Sequence, residues 1–431
     1  MNAPLARDSR HDERDEPMGE AHAPDMLFGF WYRALQGRDV GPRKLVKASV
    51  LDTALVLGRD SRGRAFALRD VCPHKGMPLS YGWHDGDAIQ CSFHGWTFDA
   101  QTGRCRFVPV CTAAQQAKVG KIRAGHVPCE ERDGFIWVYL AEPSRTGHDE
   151  ATAPLPPPPA LPLYSDRYRH FNLSDEVACT ADHAQVSQKD PGHGPFVHRK
   201  SWVVARALFG AQPAESGVDI EPTPLGFRET NTFPIQTPWL QRYMGADTAY
   251  FEAEFVLPNV RVATIRFGRF WITGLVTVTQ LTATTCRFDQ RWAWNAFYWM
   301  PFLSTLLRLY FWWFFGPDRR VLPKQVEGLR RTPRLTLMGD ADRYARWYFQ
   351  LKRAYLDARR AGTDFVNPIR KPVTLKWRNP ILEDMDLRGF SAAAPAPQAP
   401  DSDSPALGPG HPPQKKTAPP PDHLAPPHAA P

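Results

Sequence analysis

Residues 71–82, VCPHKGMPLSYG, and residues 91–104, CSFHGWTFDAQTGR, place two cysteines and two histidines in two short loops. Cys72 and His74 stand in the first loop, Cys91 and His94 in the second. Each loop therefore offers one thiolate and one imidazole. Zinc accepts two Cys and two His, but its usual spacing pairs like ligands, Cys-x-x-Cys and then His-x3–5-His. A [2Fe-2S] cluster needs the mixture when one iron takes both thiolates and the other both imidazoles. Two neutral ligands in place of anionic ones raise the reduction potential, so the pattern points to electron delivery. Pro73, Lys75-Gly76 and Gly95-Trp96 supply tight turns and backbone N–H groups that suit bridging sulfides.

The chain around these loops has 431 residues and is 42% hydrophobic, enough for two ordinary domains with sizeable cores. Residues 1–25 are polar, charged and aromatic-free, with no charged stretch leading into an apolar one, and are predicted to be a disordered arm. The Pro/Ala-rich segment 391–431 is predicted to be a disordered tail. The other five cysteines, Cys105, Cys111, Cys129, Cys179 and Cys286, are scattered and form no disulfide framework. Reduced thiols in a cytoplasmic protein are expected. The net charge of +8 is spread along the chain, which argues against a nucleic-acid groove and fits a mildly basic surface for an acidic electron donor.

From Trp31 to Leu140 the pattern is short strands with Gly-, Asp- and Pro-rich turns, such as the hairpin around Asp60-Ser61-Arg62-Gly63 and the run GFIWVYL at 134–140. A proline-dense connector at 151–163 follows, unable to continue a helix or a central strand. Beyond it come the strand-like runs FEAEFV (251–256), RFWITGLVTVTQL (269–281) and CRFDQRWAW (286–294). In the last, Cys286, Phe288, Trp292 and Trp294 share one face, with Arg287, Asp289 and Arg291 opposite. Near the end, Tyr344, Trp347, Tyr348, Leu351 and Tyr355 share one face of a helix. The fold class read from this order is α+β: an N-terminal all-β domain (26–150), then a domain (164–390) in which a helix grips an antiparallel sheet. The segment FYWMPFLSTLLRLYFWWFF (297–315) has the length of a membrane span, but Pro301 and Arg308 interrupt it. A buried helix walling an apolar pocket is predicted there, with contact at a membrane surface as the alternative.

A second cluster lies in QKDPGHGPFVHRKSW (188–202), where His193 and His198 follow Asp190. Two imidazoles suit Fe(II), Zn(II) or Cu(II) without choosing among them. A spacing of five puts two residues about 140° apart on a regular helix. Pro191, Gly192, Gly194 and Pro195 are expected to break the helix and let both rings turn inward.

Taken together, the two cysteine–histidine loops and the D-x-x-H-x4-H segment make residues 27–391 resemble the oxygenase (α) subunits of Rieske non-haem iron oxygenases, the ring-hydroxylating oxygenases. The resemblance implies that Cys72, His74, Cys91 and His94 hold a Rieske [2Fe-2S] cluster. It implies that His193, His198 and a later carboxylate hold a mononuclear Fe(II) as a 2-His-1-carboxylate triad. FFGPDRRVLPKQ resembles the segment that supplies this carboxylate, giving Asp318, with Asp340, Asp342 and Glu327 as competitors. Asp190 is implied to be the electron-transfer bridge, bonded to His193 and reaching a Rieske histidine, His94, of a neighbouring subunit in a head-to-tail homotrimer. Many relatives have Asn four residues before this Asp; here Val186 stands there. The pair Asp182-His183 fits the motif poorly and reads as structural.

The implied reaction uses dioxygen and electrons from a separate reductase or ferredoxin to hydroxylate or demethylate an apolar, aromatic small molecule. No Gly-rich dinucleotide fingerprint is present, so NAD(P)H would contribute only through the reductase. The alternatives are an electron-transfer protein without the mononuclear iron, and a membrane-surface oxygenase of a lipid-like, pigment or steroid substrate.

Overall fold

The structure, a computed structural model, describes residues 16–17, 25–141, 154–162, 168–201, 215–297, 299–332 and 334–379. The tail at 391–431 lies outside the described residues, as does most of 1–25. Within that arm Glu16–Pro17 pairs with Arg334–Leu335, so this short piece is a strand where disorder was expected.

The N-terminal part contains β1 (Phe30–Gln36), β2 (Val46–Val50), β3 (Thr53–Arg59), β4 (Ala65–Arg69), β5 (Trp83–His84), β6 (Ala88–Gln90), β7 (Thr97–Asp99), β8 (Cys105–Phe107), α1 (Ala113–Val119), β9 (His126–Val127), β10 (Cys129–Arg132) and β11 (Phe135–Leu140). They form three antiparallel sheets, ordered β9-β4-β3-β2, β10-β11-β1 and β5-β6-β7-β8. The β3–β4 hairpin closes as its sequence suggests, with Asp60 Oδ1 accepting from the backbone of Arg62 at 3.0 Å and Arg64 at 2.8 Å. Leu55, Leu57, Ala67, Ile136 and Val138 are fully buried between the sheets. The proline-rich segment is held against this part as an extended strap: Trp31 Nε1 donates to the Pro156 carbonyl at 2.6 Å, and Asp133 accepts from the Leu161 amide at 3.0 Å.

The C-terminal part contains, in chain order, β12 (Arg169–Val177), α2 (Ala181–Lys189), α3 (Gly194–Val197), β13 (Glu215–Thr223), β14 (Gly226–Pro234), α4 (Pro238–Met244), β15 (Thr248–Val256), β16 (Val260–Phe267), β17 (Phe270–Thr282), β18 (Thr285–Trp294), α5 (Leu303–Phe314), α6 (Gly316–Leu329), α7 (Arg343–Ala361) and β19 (Val373–Arg378). Its strands make one eight-stranded antiparallel sheet in the order β12-β18-β17-β16-β15-β14-β13-β19. Helix α7 lies on one face of it. Tyr344, Trp347, Tyr348, Leu351 and Tyr355, the face expected from the sequence, are buried against Val218, Ile220, Phe227 and Phe255. Burying Leu351 alone contributes about 1.5–3 kcal/mol.

The opposite face of the sheet meets the N-terminal part. Arg287, Asp289 and Arg291 alternate as expected, yet all are buried, because β1 and the β10–β11 turn cover them. Arg33, with no exposed surface, is sandwiched between Phe135 at 4.1 Å and Trp137 at 4.9 Å and donates to the Asp289 carbonyl at 2.9 Å. Burial pulls its guanidinium down to about 9, with Asp289 opposing. All strands and helices described so far therefore give an α+β chain with an N-terminal β part and a C-terminal antiparallel sheet.

Helix α5 departs from expectation. A buried helix walling an apolar pocket is expected; none of its twelve residues is buried, while Tyr310 and Phe314 do line an apolar cavity. One edge, Leu303, Leu307 and Phe311, packs on Phe171 of the edge strand β12 and Trp294 of its neighbour β18. The helix covers only that margin of the sheet, so its far side stays outside. Among the described residues no helix is long and apolar enough to cross a membrane.

Candidate metal centres

The two cysteine–histidine loops fold alike. Cys72 N–H donates to the Met77 carbonyl at 2.8 Å, and Gly76 N–H returns to the Cys72 carbonyl at 2.9 Å. In the second loop Cys91 N–H donates to Trp96 at 2.8 Å and Gly95 N–H returns to Cys91 at 3.0 Å. Each turn closes on a glycine four residues after its cysteine, with φ of +76° at Gly76 and +69° at Gly95, which side chains resist. Both cysteines are buried, while the histidines point outward, their ring centroids 4.6 Å apart. Trp96 lies flat on His74 at 4.5 Å and 6°. Burial pushes the Cys72 thiol up to about 11, against the pull of the His74 and Lys75 amides that face it. Among the described residues the four ligands do not converge on one point, whereas a single zinc ion would require it. Buried sulfurs at one end, outward imidazoles at the other and amides around them fit a two-iron, two-sulfide cluster.

A tighter cluster lies in the C-terminal part. His193, His198 and Asp318 bring three ligand atoms within 4.8 Å of one another, the one such group among the described residues. Helix α3 is a single turn with Pro195 in its first turn; His193 caps its start and His198 its end. The expected break falls before the histidines, where α2 ends at Lys189 ahead of Pro191-Gly192, and both rings do converge; between them the chain is not broken but makes a turn that Pro195 can begin, because the missing N–H is harmless at that position. Each imidazole is locked by its other nitrogen. His193 Nδ1 donates to the Asp190 carbonyl at 2.7 Å, and His198 Nδ1 donates to the Phe314 carbonyl at 3.0 Å. A carbonyl only accepts, so Nδ1 is the donor in each ring, and in the neutral ring Nε2 is the nitrogen left to ligate a metal. His198 Nε2 is 3.3 Å and His193 Nε2 3.8 Å from the Asp318 carboxylate, supplied by the first turn of α6. Burial raises the Asp318 carboxyl, with His198 and His193 opposing. Two imidazole nitrogens and one carboxylate, partly exposed on one side, suit a 2-His-1-carboxylate iron with open positions.

The competing carboxylates are occupied elsewhere. Asp340 pairs with Arg343 and accepts from Lys376 N–H; Asp342 accepts from Met338 N–H; Glu327 is exposed on α6. Asp182 holds Tyr348 and Lys352, tying α2 to α7, and His183 bonds Thr180. Val186 packs into the core under α7. Asp190 bonds His193 through its carbonyl, while its carboxylate lies 3.9 Å away and is one-third exposed. One carboxylate oxygen accepts from Gly192 N–H at 2.7 Å.

The triad opens into a cavity of about 550 Å³. Val276, Phe288, Trp292, Tyr310, Phe314 and Leu322 give it a largely apolar wall, and its size falls in the usual range for small-molecule sites. Sequence reasoning missed Phe314, which both stacks on His198 (4.3 Å, 4°) and fixes its tautomer through the backbone. No spacing signal could have marked it, since the contact is made by a carbonyl 116 residues away.

Residues 30–123 match the Rieske [2Fe-2S] domain family. Over 113 residues the chain is 32% identical to the oxidoreductase NdmD of Pseudomonas putida, a match covering 26% of this chain and 19% of that protein. Over 327 residues it is 26% identical to the 4beta-methylsterol monooxygenase of Methylococcus capsulatus, covering 72% of this chain and 83% of that one. The solved structure of Pseudomonas putida CBB5 NdmA, a QL mutant with theobromine, superposes with a TM-score of 0.61 at 18% identity, over 80% of this chain and 96% of that one. This last likeness concerns the fold.

Proposed function

We propose that this Rieske-type oxidoreductase is the terminal oxygenase of a multi-component system, taking electrons from a separate reductase or ferredoxin to hydroxylate or demethylate an apolar, ring-bearing substrate. The observation that carries the reading is the convergence of His193 Nε2, His198 Nε2 and the Asp318 carboxylate at one end of an apolar cavity. Cys72, His74, Cys91 and His94 would hold the [2Fe-2S] cluster and His193, His198 and Asp318 the mononuclear iron, which when bound supply electron delivery and dioxygen activation. The carbonyls of Asp190 and Phe314 orient both imidazoles so that each Nε2 faces Asp318. The apolar wall confines substrate and limits water beside the metal. A relative named as a monooxygenase over most of its length supports one-oxygen chemistry over dihydroxylation.

In this reading Asp190 links chains of a head-to-tail homotrimer, meeting His94 of the partner subunit. Its one-third-exposed carboxylate and the exposed apolar rim of the cluster loops, Val71, Tyr81, Trp83, Phe93 and Phe107, favour a covering second copy. Seven free thiols favour a reducing, cytoplasmic setting. The test is oxygen uptake by the reduced system with a panel of ring compounds. Uptake should be triggered by a subset of them and vanish in His193→Ala; compound-triggered turnover retained by that variant would sink the proposal.

A second reading, action at a lipid surface, is favoured by α5. Trp299 and Phe302 just before α5, and Leu306, Leu309 and Trp313 within it, follow a three/four spacing and are 69%, 75%, 56%, 54% and 41% exposed, while Tyr310 and Phe314 of the helix line the cavity. Arg308 and Arg320 are exposed beside this stripe and would meet anionic headgroups. Flotation with vesicles containing phosphatidylglycerol tests it: co-flotation that is lost in Trp299→Ser/Leu306→Ser supports the reading, and its absence in the wild type rejects it.

A further inference from the structure

Gln290 stands on β18 between Phe288 and Trp292, on the face that lines the cavity, and is 1% exposed. Trp292 Nε1 donates to Gln290 Oε1 at 3.0 Å. An indole N–H only donates, so this bond fixes which way the amide is turned. The oxygen is committed to Trp292 and the NH2 group is left on the cavity side. Among the described residues Gln290 Nε2 has no acceptor, and it is not sealed from the cavity. A ligand acceptor placed there would give this buried donor the partner it lacks.

The charged groups of the wall point the same way. The two arginines that line the cavity are both committed: Arg261 to Glu229 and the Gln188 carbonyl, Arg319 to Asp175 and the Trp312 carbonyl. Asp318 of the triad and Asp190 beside it are the wall's carboxylates nearest the histidines. Among the described residues, neither lining arginine is spare for a carboxylate or sulfonate.

We infer that Gln290 is the residue that reads the substrate, its Nε2 donating to a neutral oxygen acceptor (keto, ether or hydroxyl) on an apolar multi-ring skeleton, and that the cavity rejects anionic relatives of the same skeleton. This rests on the oxygenase reading for what happens to the bound molecule, though not for the binding itself.

The probes are three two-ring compounds, 1-tetralone, tetralin and tetralin-1-carboxylate, measured by equilibrium dialysis against the iron-loaded protein. In the wild type 1-tetralone should bind roughly 2- to 13-fold tighter than tetralin, the value of one neutral hydrogen bond. Tetralin-1-carboxylate should bind weakest. Gln290→Met, which keeps the length of the side chain without the donor, should erase the ketone's advantage while leaving tetralin affinity within about twofold. The visible spectrum of the cluster checks that the variant is folded. Failure of the ketone to bind better than the hydrocarbon, a preference that survives Gln290→Met, or tightest binding of the carboxylate overturns the inference. Failure of the oxygenase reading would instead appear as two irons per chain with the ketone preference intact.

Discussion

His198 and Phe314 touch twice: the imidazole donates from Nδ1 to the Phe314 carbonyl at 3.0 Å, and its ring lies flat on the phenyl at 4.3 Å. The carbonyl sets the tautomer and the phenyl sets the plane, so together they aim Nε2 at Asp318 before any metal arrives. Partners of this kind typically govern 10- to 100-fold in metal affinity. In Phe314→Ala the carbonyl persists and only the stack is lost. The affinity for mononuclear iron, titrated with buffered Fe(II), should fall by about tenfold, the lower end of that range. The cluster spectrum should be unchanged.

The two cluster loops separate strain from crowding. A Cβ at Gly76 would meet nothing within 4 Å, whereas at Gly95 it would sit 3.0 Å from Pro109 Cγ. Both have positive φ, which costs a side chain about 1–2 kcal/mol. Gly76→Ala should lose stability by that amount and keep its cluster. Gly95→Ala should lose more, and its cluster content per chain, read from visible absorption, should drop below that of Gly76→Ala.

Asp289 anchors the contact between the two parts of the chain. It is 1% exposed, accepts from Arg287 Nε at 2.8 Å and from Ser174 Oγ at 2.6 Å, and its carbonyl takes Arg33. Breaking a buried pair by removing one partner costs about 3–5 kcal/mol. Asp289→Ala should therefore destabilise the chain by that order in denaturant unfolding.

Burial holds the Cys72 thiol up at about 11, so the empty chain carries it protonated at neutral pH. Loading a cluster must displace that proton. Because the thiol pKa is raised, loading becomes easier as pH rises toward it and harder as pH falls. Anaerobic reconstitution should show an apparent affinity that increases from pH 7 to pH 8.5, and a flat profile would contradict this.

Much of the fold was legible because periodicity reports burial. The face Tyr344, Trp347, Tyr348, Leu351 and Tyr355 follows from helical spacing, and the alternation in β18 from strand spacing. Periodicity does not say what covers a face. Arg287, Asp289 and Arg291 read as a polar face and are buried under the N-terminal part. The α5 segment read as a buried helix, and its apolar stripe faces out. The candidate ligands could be named because metal chemistry restricts residue types and local spacing. Phe314 and Gln290 could not, since one acts through its backbone and the other through an amide whose orientation depends on Trp292.

The most direct measurement is iron per chain, with the visible spectrum, in the wild type and in His193→Ala. Three irons in the wild type and two in the variant, with the same Rieske spectrum, are the result predicted by separate two-iron and one-iron centres. Two irons in the wild type, or three retained in His193→Ala, would contradict it.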